Sequence, residues 1–241
     1  MDFNPLHDLQ HILDNLIEEL FSKASLHSPP IDAEALVKAK AWQLLGCEAP
    51  FSNRKKNAPV FDGAESENAF VKHQWQAAQF LASAIQKEAK IRWEKLNDLS
   101  TPTGFSFINF LAQRILVPTH WFNPLASKMG HDLLQLKNSF NSAAYEIIAL
   151  RMLDLEAPCI ITIVDNCHVS KRKSNCCNPS KTLHPVENMV LDYVHENSRP
   201  KKLMTRDGRL PVGRSINLTG AGKSSEAFPP NRLIDHRYAS H

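Results

Sequence analysis

The chain has 241 residues, 28 Lys+Arg against 25 Asp+Glu, a net charge of +3, and 43% hydrophobic and 22% charged residues. That composition is near the globular average, and no apolar run of about 18 residues exists, which excludes wholesale disorder, a collagen repeat, a disulfide scaffold and a membrane span. The charge is uneven: residues 1–158 carry 15 Lys+Arg and 18 Asp+Glu, net −3, and residues 159–241 carry 13 and 7, net +6. A basic C-terminal third points toward an anionic partner or a solvated tail. The start, Met1-Asp2-Phe3-Asn4-Pro5, lacks the basic opening and apolar core of a signal peptide. The expected location is the cytoplasm, where Cys47, Cys159, Cys167, Cys176 and Cys177 stay reduced.

In chain order, Leu6, Leu9, Leu13, Leu16, Ile17 and Leu20 fall on one face of a helix, with His7, His11, Asp14 and Glu18 opposite. Pro29-Pro30 ends that unit. Asp32 caps a second helix over Ala33–Leu45 that stops at Gly46. Residues 49–68, with Pro50, Pro59 and Gly63, suit one or two short strands and turns. A long helix follows over Asn68–Leu96, with the stripe Val71, Trp75, Ala78, Ala82, Ile85 and Ala89. Further helices are predicted over Phe105–Val117, Trp121–Met129, Asp132–Phe140 and Ala143–Leu153, the last capped by Ser142.

Then the pattern changes. Cys159–Val164 is a β-branched run, Asp165-Asn166 a turn, and His168–Lys173 a polar return strand. Leu203–Val212 is a second hairpin around Asp207-Gly208, and the last 25 or so residues lack periodicity.

Two helices carry the most chemistry: His73-Gln-Trp-Gln-Ala-Ala-Gln-Phe-Leu-Ala-Ser83, then Asn109-Phe-Leu-Ala-Gln-Arg-Ile-Leu-Val-Pro118. Their order resembles the ImmA/IrrE family of zinc metallopeptidases, in which an Ala-His-Glu-x-x-His/Glu helix precedes a Glu-x-x-Ala-Asn-x-Phe-Ala-x-x-Leu-Leu-x-Pro helix. Asn109, Ala112, Leu116 and Pro118 match the second phrase. Pro29-Pro30-Ile31-Asp32 with the helix ending at Gly46, and the helices from Asp132 to Leu153, are similar to its flanking parts. The resemblance covers roughly residues 28–175.

A zinc peptidase helix needs two ligands at i and i+4 and a Glu to deprotonate the metal-bound water. Laid on this chain, the first His falls on Gln79, the Glu on Phe80, the third position on Ser83 and the downstream Glu on Ser106. A carboxamide and a hydroxyl are poor Zn²⁺ ligands, and a phenyl ring accepts no proton. The resemblance therefore implies a zincin-like protein degenerate at its zinc site, with no cofactor expected and an enzymatic role disfavoured.

Weaker metal candidates remain. His7 and His11 form a His-x₃-His pair on an exposed face, and His73 and His120 bracket the family-like helices. Cys167-His168 and Cys176-Cys177 form no Cys-x₂-Cys unit. Gly220-Ala-Gly-Lys-Ser224 is not a phosphate loop, since Asn217 stands where Gly is needed and no apolar strand of useful length precedes it. Lys171, Arg172, Lys173, Lys201 and Lys202 suit phosphate contacts that do not read sequence.

The expected fold is α+β: a mostly helical zincin-like domain over 1–157, including the helical pair 132–153, with a small antiparallel sheet. A basic β-hairpin and loose tail follow over 158–241. The expected function is regulation through a partner such as a transcriptional regulator protein, with no membrane. Two alternatives stand beside it: a DNA-binding regulator using 132–175 and the basic tail, and an active zinc peptidase with a relocated metal site.

Overall fold

The computed structural model describes residues 5–50, 67–96, 107–165, 168–180, 203–204 and 214–220, with isolated positions between 182 and 192. The expected strands at 49–68 fall mostly on residues outside these, as do Ser106, Cys167, Lys201 and Lys202. The fold is α+β and mostly helical, with a small sheet. The chain divides into two compact units: Met1–Ser127 with Ser139–Ala144, and Lys128–Asn138 with Tyr145–His241.

In the first unit, α1 (Pro5–Lys23) buries Leu9, Ile12, Leu13, Leu16, Ile17, Leu20 and Phe21, the face its spacing predicts. After a cis Pro29-Pro30 bond, Asp32 caps α2 (Ala33–Lys38), its carboxylate accepting from Ala35 N at 3.0 Å. The continuous helix expected to Leu45 is broken. Lys40 adopts a left-handed backbone (φ 53°), and the chain resumes as a 3₁₀ turn over Ala41–Leu45 that ends on Gly46 at φ 71°.

The longest helix, α3 (Glu67–Leu96), spans 30 residues, about 45 Å at the α-helical rise. Its buried stripe is Gln74, Ala77, Ala78, Leu81, Ala82, Ile85, Ala89 and Trp93. The alanines leave room for α4 (Phe107–Leu116) to pack closely through Leu111, Ala112 and Ile115. Trp75, expected in the stripe, is only half-buried, and the neighbouring Gln74 takes the inner position at 1% exposure. The reason is polar. Gln74 Oε1 accepts from Ala33 N at 2.7 Å, and its Nε2 donates to Asp32 Oδ1 at 3.0 Å. A side chain from α3 thus completes the N-terminus of α2, satisfying a helix-end N–H that α2 cannot satisfy itself. Helix α5 (Thr119–Lys128) buries Phe122 and Ala126, and Phe122 packs on Phe140 at 5.8 Å between ring centres.

In the second unit, α6 (Leu133–Ser139) starts at Asp132, whose Oδ1 accepts from Leu134 N and Gln135 N. Helix α7 (Tyr145–Arg151) begins three residues beyond Ser142, so Ser142 is not its cap; that residue is buried instead. A 3₁₀ turn over Met152–Asp154 leads to the sheet.

Strands β1 (Cys159–Asp165) and β2 (His168–Ser174) form the expected antiparallel hairpin, with Ile160 opposite Ser174 and Thr162 opposite Arg172. The sheet has two further strands, β3 (Leu203–Met204) and β4 (Arg214–Gly220), in the order β2-β1-β4-β3. Strand β4 runs parallel to β1, Cys159 opposite Arg214 through Asp165 opposite Gly220, so the sheet is mixed. The second hairpin exists with a shifted return strand: Leu203 pairs with Ser215 and Met204 with Arg214. Part of the expected loose tail is therefore the inner strand β4. Strand β4 leads into the Gly220–Ser224 stretch, but Ile216 and Leu218 are its only apolar side chains, and Asn217 departs from the phosphate-loop pattern.

Candidate functional site

Gln79, Phe80 and Ser83 lie on α3, and Asn109 lies on α4, which packs against it. Gln79 is half-buried, and its Nε2 donates to Asn109 Oδ1 at 2.9 Å. The residue at the expected first-ligand position is thus bonded to the first residue of the matching Asn109–Pro118 phrase. One turn of α3 contributes both Gln79 and Phe80. The Phe80 ring packs edge-on against Trp42 at 5.3 Å. That aromatic contact joins α3 to the 3₁₀ turn, adding about 1 kcal/mol beyond its area burial.

Ser83, one turn further, does not join the Gln79–Asn109 bond. It lines an open groove of about 470 Å³, shared with Gly46, Cys47, Lys87, Glu88 and Ile91. Burial pushes the Cys47 thiol above its ordinary pKa, with the Glu88 charge adding to the effect, so this cysteine is held as a thiol. Along the same helix face, Arg92 donates to Glu88 and to Glu19, each at 2.8 Å, and Lys23 reaches Glu19 at 2.7 Å.

This donor set does not fit zinc. Gln79 commits its Nε2 to Asn109 and has only a carboxamide oxygen left, Phe80 has no donor atom, and Ser83 carries only a hydroxyl. Among the described residues no group of three or more His, Cys, Asp or Glu is placed to hold a metal. His73 lies half-buried on α3. His11 is exposed on α1 and bonds to Asn15 at 2.9 Å, and His7 lies on the same helix. His120 stands on α5, its ring 4.3 Å from Trp121, with Nδ1 3.4 Å from Glu18 Oε1. Burial holds the His120 pKa below the ordinary histidine value, against the opposing pull of Glu18 and Asp14.

Beside His120 is a buried ionic cluster that periodicity alone did not single out. Arg114 is 1% exposed, and its Nη1 donates to Asp14 Oδ1 and to Thr119 Oγ1, each at 3.0 Å. Thr119 Oγ1 donates in turn to Asp14 Oδ1 at 2.7 Å, and the guanidinium carbon lies 4.4 Å from the Phe110 ring centre. Three helices, α1, α4 and α5, meet on this one cation. The sequence does carry a signal: Arg114 interrupts the apolar stripe of α4 between Leu111 and Ile115.

The basic hairpin residues have separate fates. Lys171 pairs with Glu146, and Lys173 is exposed on the same face of β2. Arg172 points the other way. Its Nη1 donates to Thr162 Oγ1 at 2.7 Å and its Nη2 to Glu187 Oε2 at 2.8 Å, with both charged side chains at most 10% exposed. The Arg172 guanidinium is therefore occupied inside the protein. Helix α7 buries Ile147, Ile148, Ala149 and Arg151, and Arg151 pairs with Asp154. Its remaining side chains are Tyr145, Glu146 and Leu150, a poor set for reading base edges.

No protein-family model matches the chain, and no curated protein matches it. A solved structure described as a Mycobacterium tuberculosis transcriptional regulator is similar in fold, with a TM-score of 0.53 and 15% sequence identity over 83% of this chain and 69% of that one. No helix among the described residues is long and apolar enough to cross a membrane.

Proposed function

We propose that this chain is a metallopeptidase-like protein of the ImmA/IrrE type that has lost zinc and peptidase activity and regulates by binding a protein partner. The Gln79–Asn109 hydrogen bond carries this reading. It ties the expected ligand position to the motif that carries the resemblance, using a group that neither binds zinc well nor activates water. The packing of Phe80 on Trp42 supports it, because the expected general-base position holds a ring engaged with another ring. The fold likeness to a transcriptional regulator supports a regulatory setting. The partner is read as a transcriptional regulator protein in the cytoplasm, held without being cut.

The test is elemental analysis of the purified chain together with in-cell crosslinking. The expected outcome is no retained zinc and an intact crosslinked regulator. One zinc per chain that resists dialysis, or a cleaved partner, overturns the reading.

A second reading, direct DNA binding, is favoured by the exposed pair Lys171 and Lys173 on one face of β2. Neutralisation of Lys171 by Glu146, and the internal role of Arg172, weigh against it. A gel shift over a salt series decides. Phosphate binding predicts affinity falling steeply with salt and a smaller slope in Lys173→Ala. Binding that is absent or flat with salt rejects it.

A further inference from the structure

We infer that Cys176 and Cys177 form a preorganised vicinal dithiol that chelates a thiophilic trivalent arsenic group, a site independent of the function proposed above. Adjacent residues in a strand point to opposite faces, which would hold two neighbouring thiols apart. Here the chain bends as it leaves β2, and the two sulfurs lie 4.0 Å apart on the exposed surface.

The bend is built by Asn175. Its Nδ2 donates to Leu155 O at 2.8 Å and to Ala157 O at 3.1 Å, while its Oδ1 accepts from Cys159 N at 2.8 Å. The whole carboxamide is spent on pinning the turn to the segment that enters β1. Ser174 completes the arrangement. Its hydroxyl donates to Cys159 O at 2.8 Å and accepts from Cys176 N at 3.2 Å. It lies 3.2 Å from Cys176 Sγ and 3.6 Å from Cys177 Sγ. With its single proton committed to a carbonyl and one lone pair to Cys176 N, the Ser174 oxygen keeps one lone pair that faces the two thiols. Two soft donors are thus held on one side of a fixed turn, exposed to solvent.

Such a pair suits an acceptor that needs two thiolates and has its remaining positions filled. An arylarsenic(III) oxide meets that description. Each sulfur forms one bond to arsenic, the arsenic–oxygen bond breaks, and the oxygen leaves as water with the two thiol protons. No oxidant or reductant takes part. The other described cysteines differ: Cys159 is buried, and Cys47 is half-buried with its pKa raised. Tetrahedral zinc is a worse match, since it wants four ligands and no third His, Cys, Asp or Glu stands with the pair among the described residues.

The test uses phenylarsine oxide on the full chain, followed by excess glutathione to strip adducts held by one sulfur, with intact mass as the readout. The wild type should retain one phenylarsenic group per chain, released by ethanedithiol. Cys176→Ser and Cys177→Ser should each lose it, and Cys47→Ser and Cys167→Ser should keep it. Asn175→Ala should lose the adduct at about threefold lower glutathione, because two glutathiones displace each group and a roughly tenfold loss of affinity, the scale of one lost hydrogen bond, enters as its square root. No retained adduct on the wild type, retention in either Cys176→Ser or Cys177→Ser, or loss in Cys167→Ser overturns the site. Unchanged retention in Asn175→Ala overturns the preorganisation.

Discussion

Replacing Asp14 by Ala leaves the Arg114 guanidinium inside the protein with its counter-charge removed. Arg114 is 1% exposed and Asp14 18% exposed, so solvent screens this pair little. At their 3.0 Å separation, a charge pair near a protein surface interacts by several kcal/mol, and breaking a buried pair by removing one partner costs roughly 3–5 kcal/mol. Asp14 keeps some access to water, which sets the expectation near the lower end, about 3 kcal/mol. Thr119 also loses its acceptor. Replacing both charges, Asp14→Leu with Arg114→Met, should cost much less, because the uncompensated cation is gone. Urea unfolding followed by circular dichroism reads both values, provided the m-value stays constant. A loss under about 1 kcal/mol in Asp14→Ala, or a double variant as unstable as the sum of its singles, refutes the role assigned to the cluster.

His120 should make stability depend on pH. Its folded pKa lies below the unfolded value because burial disfavours the cation, so the unfolded chain binds more protons between the two values. Stability is full above about pH 6.5, the unfolded histidine value, and falls as pH drops through the folded pKa. His120→Gln should flatten that fall in melting curves taken from neutral pH to about pH 5. Gln74→Leu, which strips Ala33 N and Asp32 of a partner, should cost about 1–3 kcal/mol and raise amide exchange at the start of α2, whereas Trp75→Leu should spare that exchange. Glu187→Ala should destabilise the hairpin by about 3 kcal/mol by stranding Arg172, while Lys173→Ala should shift stability by less than about 0.5 kcal/mol in the same unfolding assay.

The amphipathic face of α1, the Asp32 cap and the β1–β2 hairpin were legible because each rests on local contacts. The break at Lys40 was not legible. A lysine carries no left-handed preference, and the stretch to Leu45 reads as helix by composition. The resemblance pointed to Gln79, Phe80 and Ser83 on α3. The bond from Gln79 to Asn109 was not legible, because it joins residues 30 apart.

What the sequence by itself determined is what rests on short-range contacts: the face of α1, the Asp32 cap, the β1–β2 hairpin and the class of fold. What only the tertiary structure decided is the fate of each polar side chain and each long-range pairing. It put Gln74 rather than Trp75 in the core, buried Arg114 and Arg172 on carboxylates, and set β4 parallel to β1. The physical reason is common to all three. A buried donor or an unpaired strand edge must find a partner, and that partner can come from anywhere in the chain.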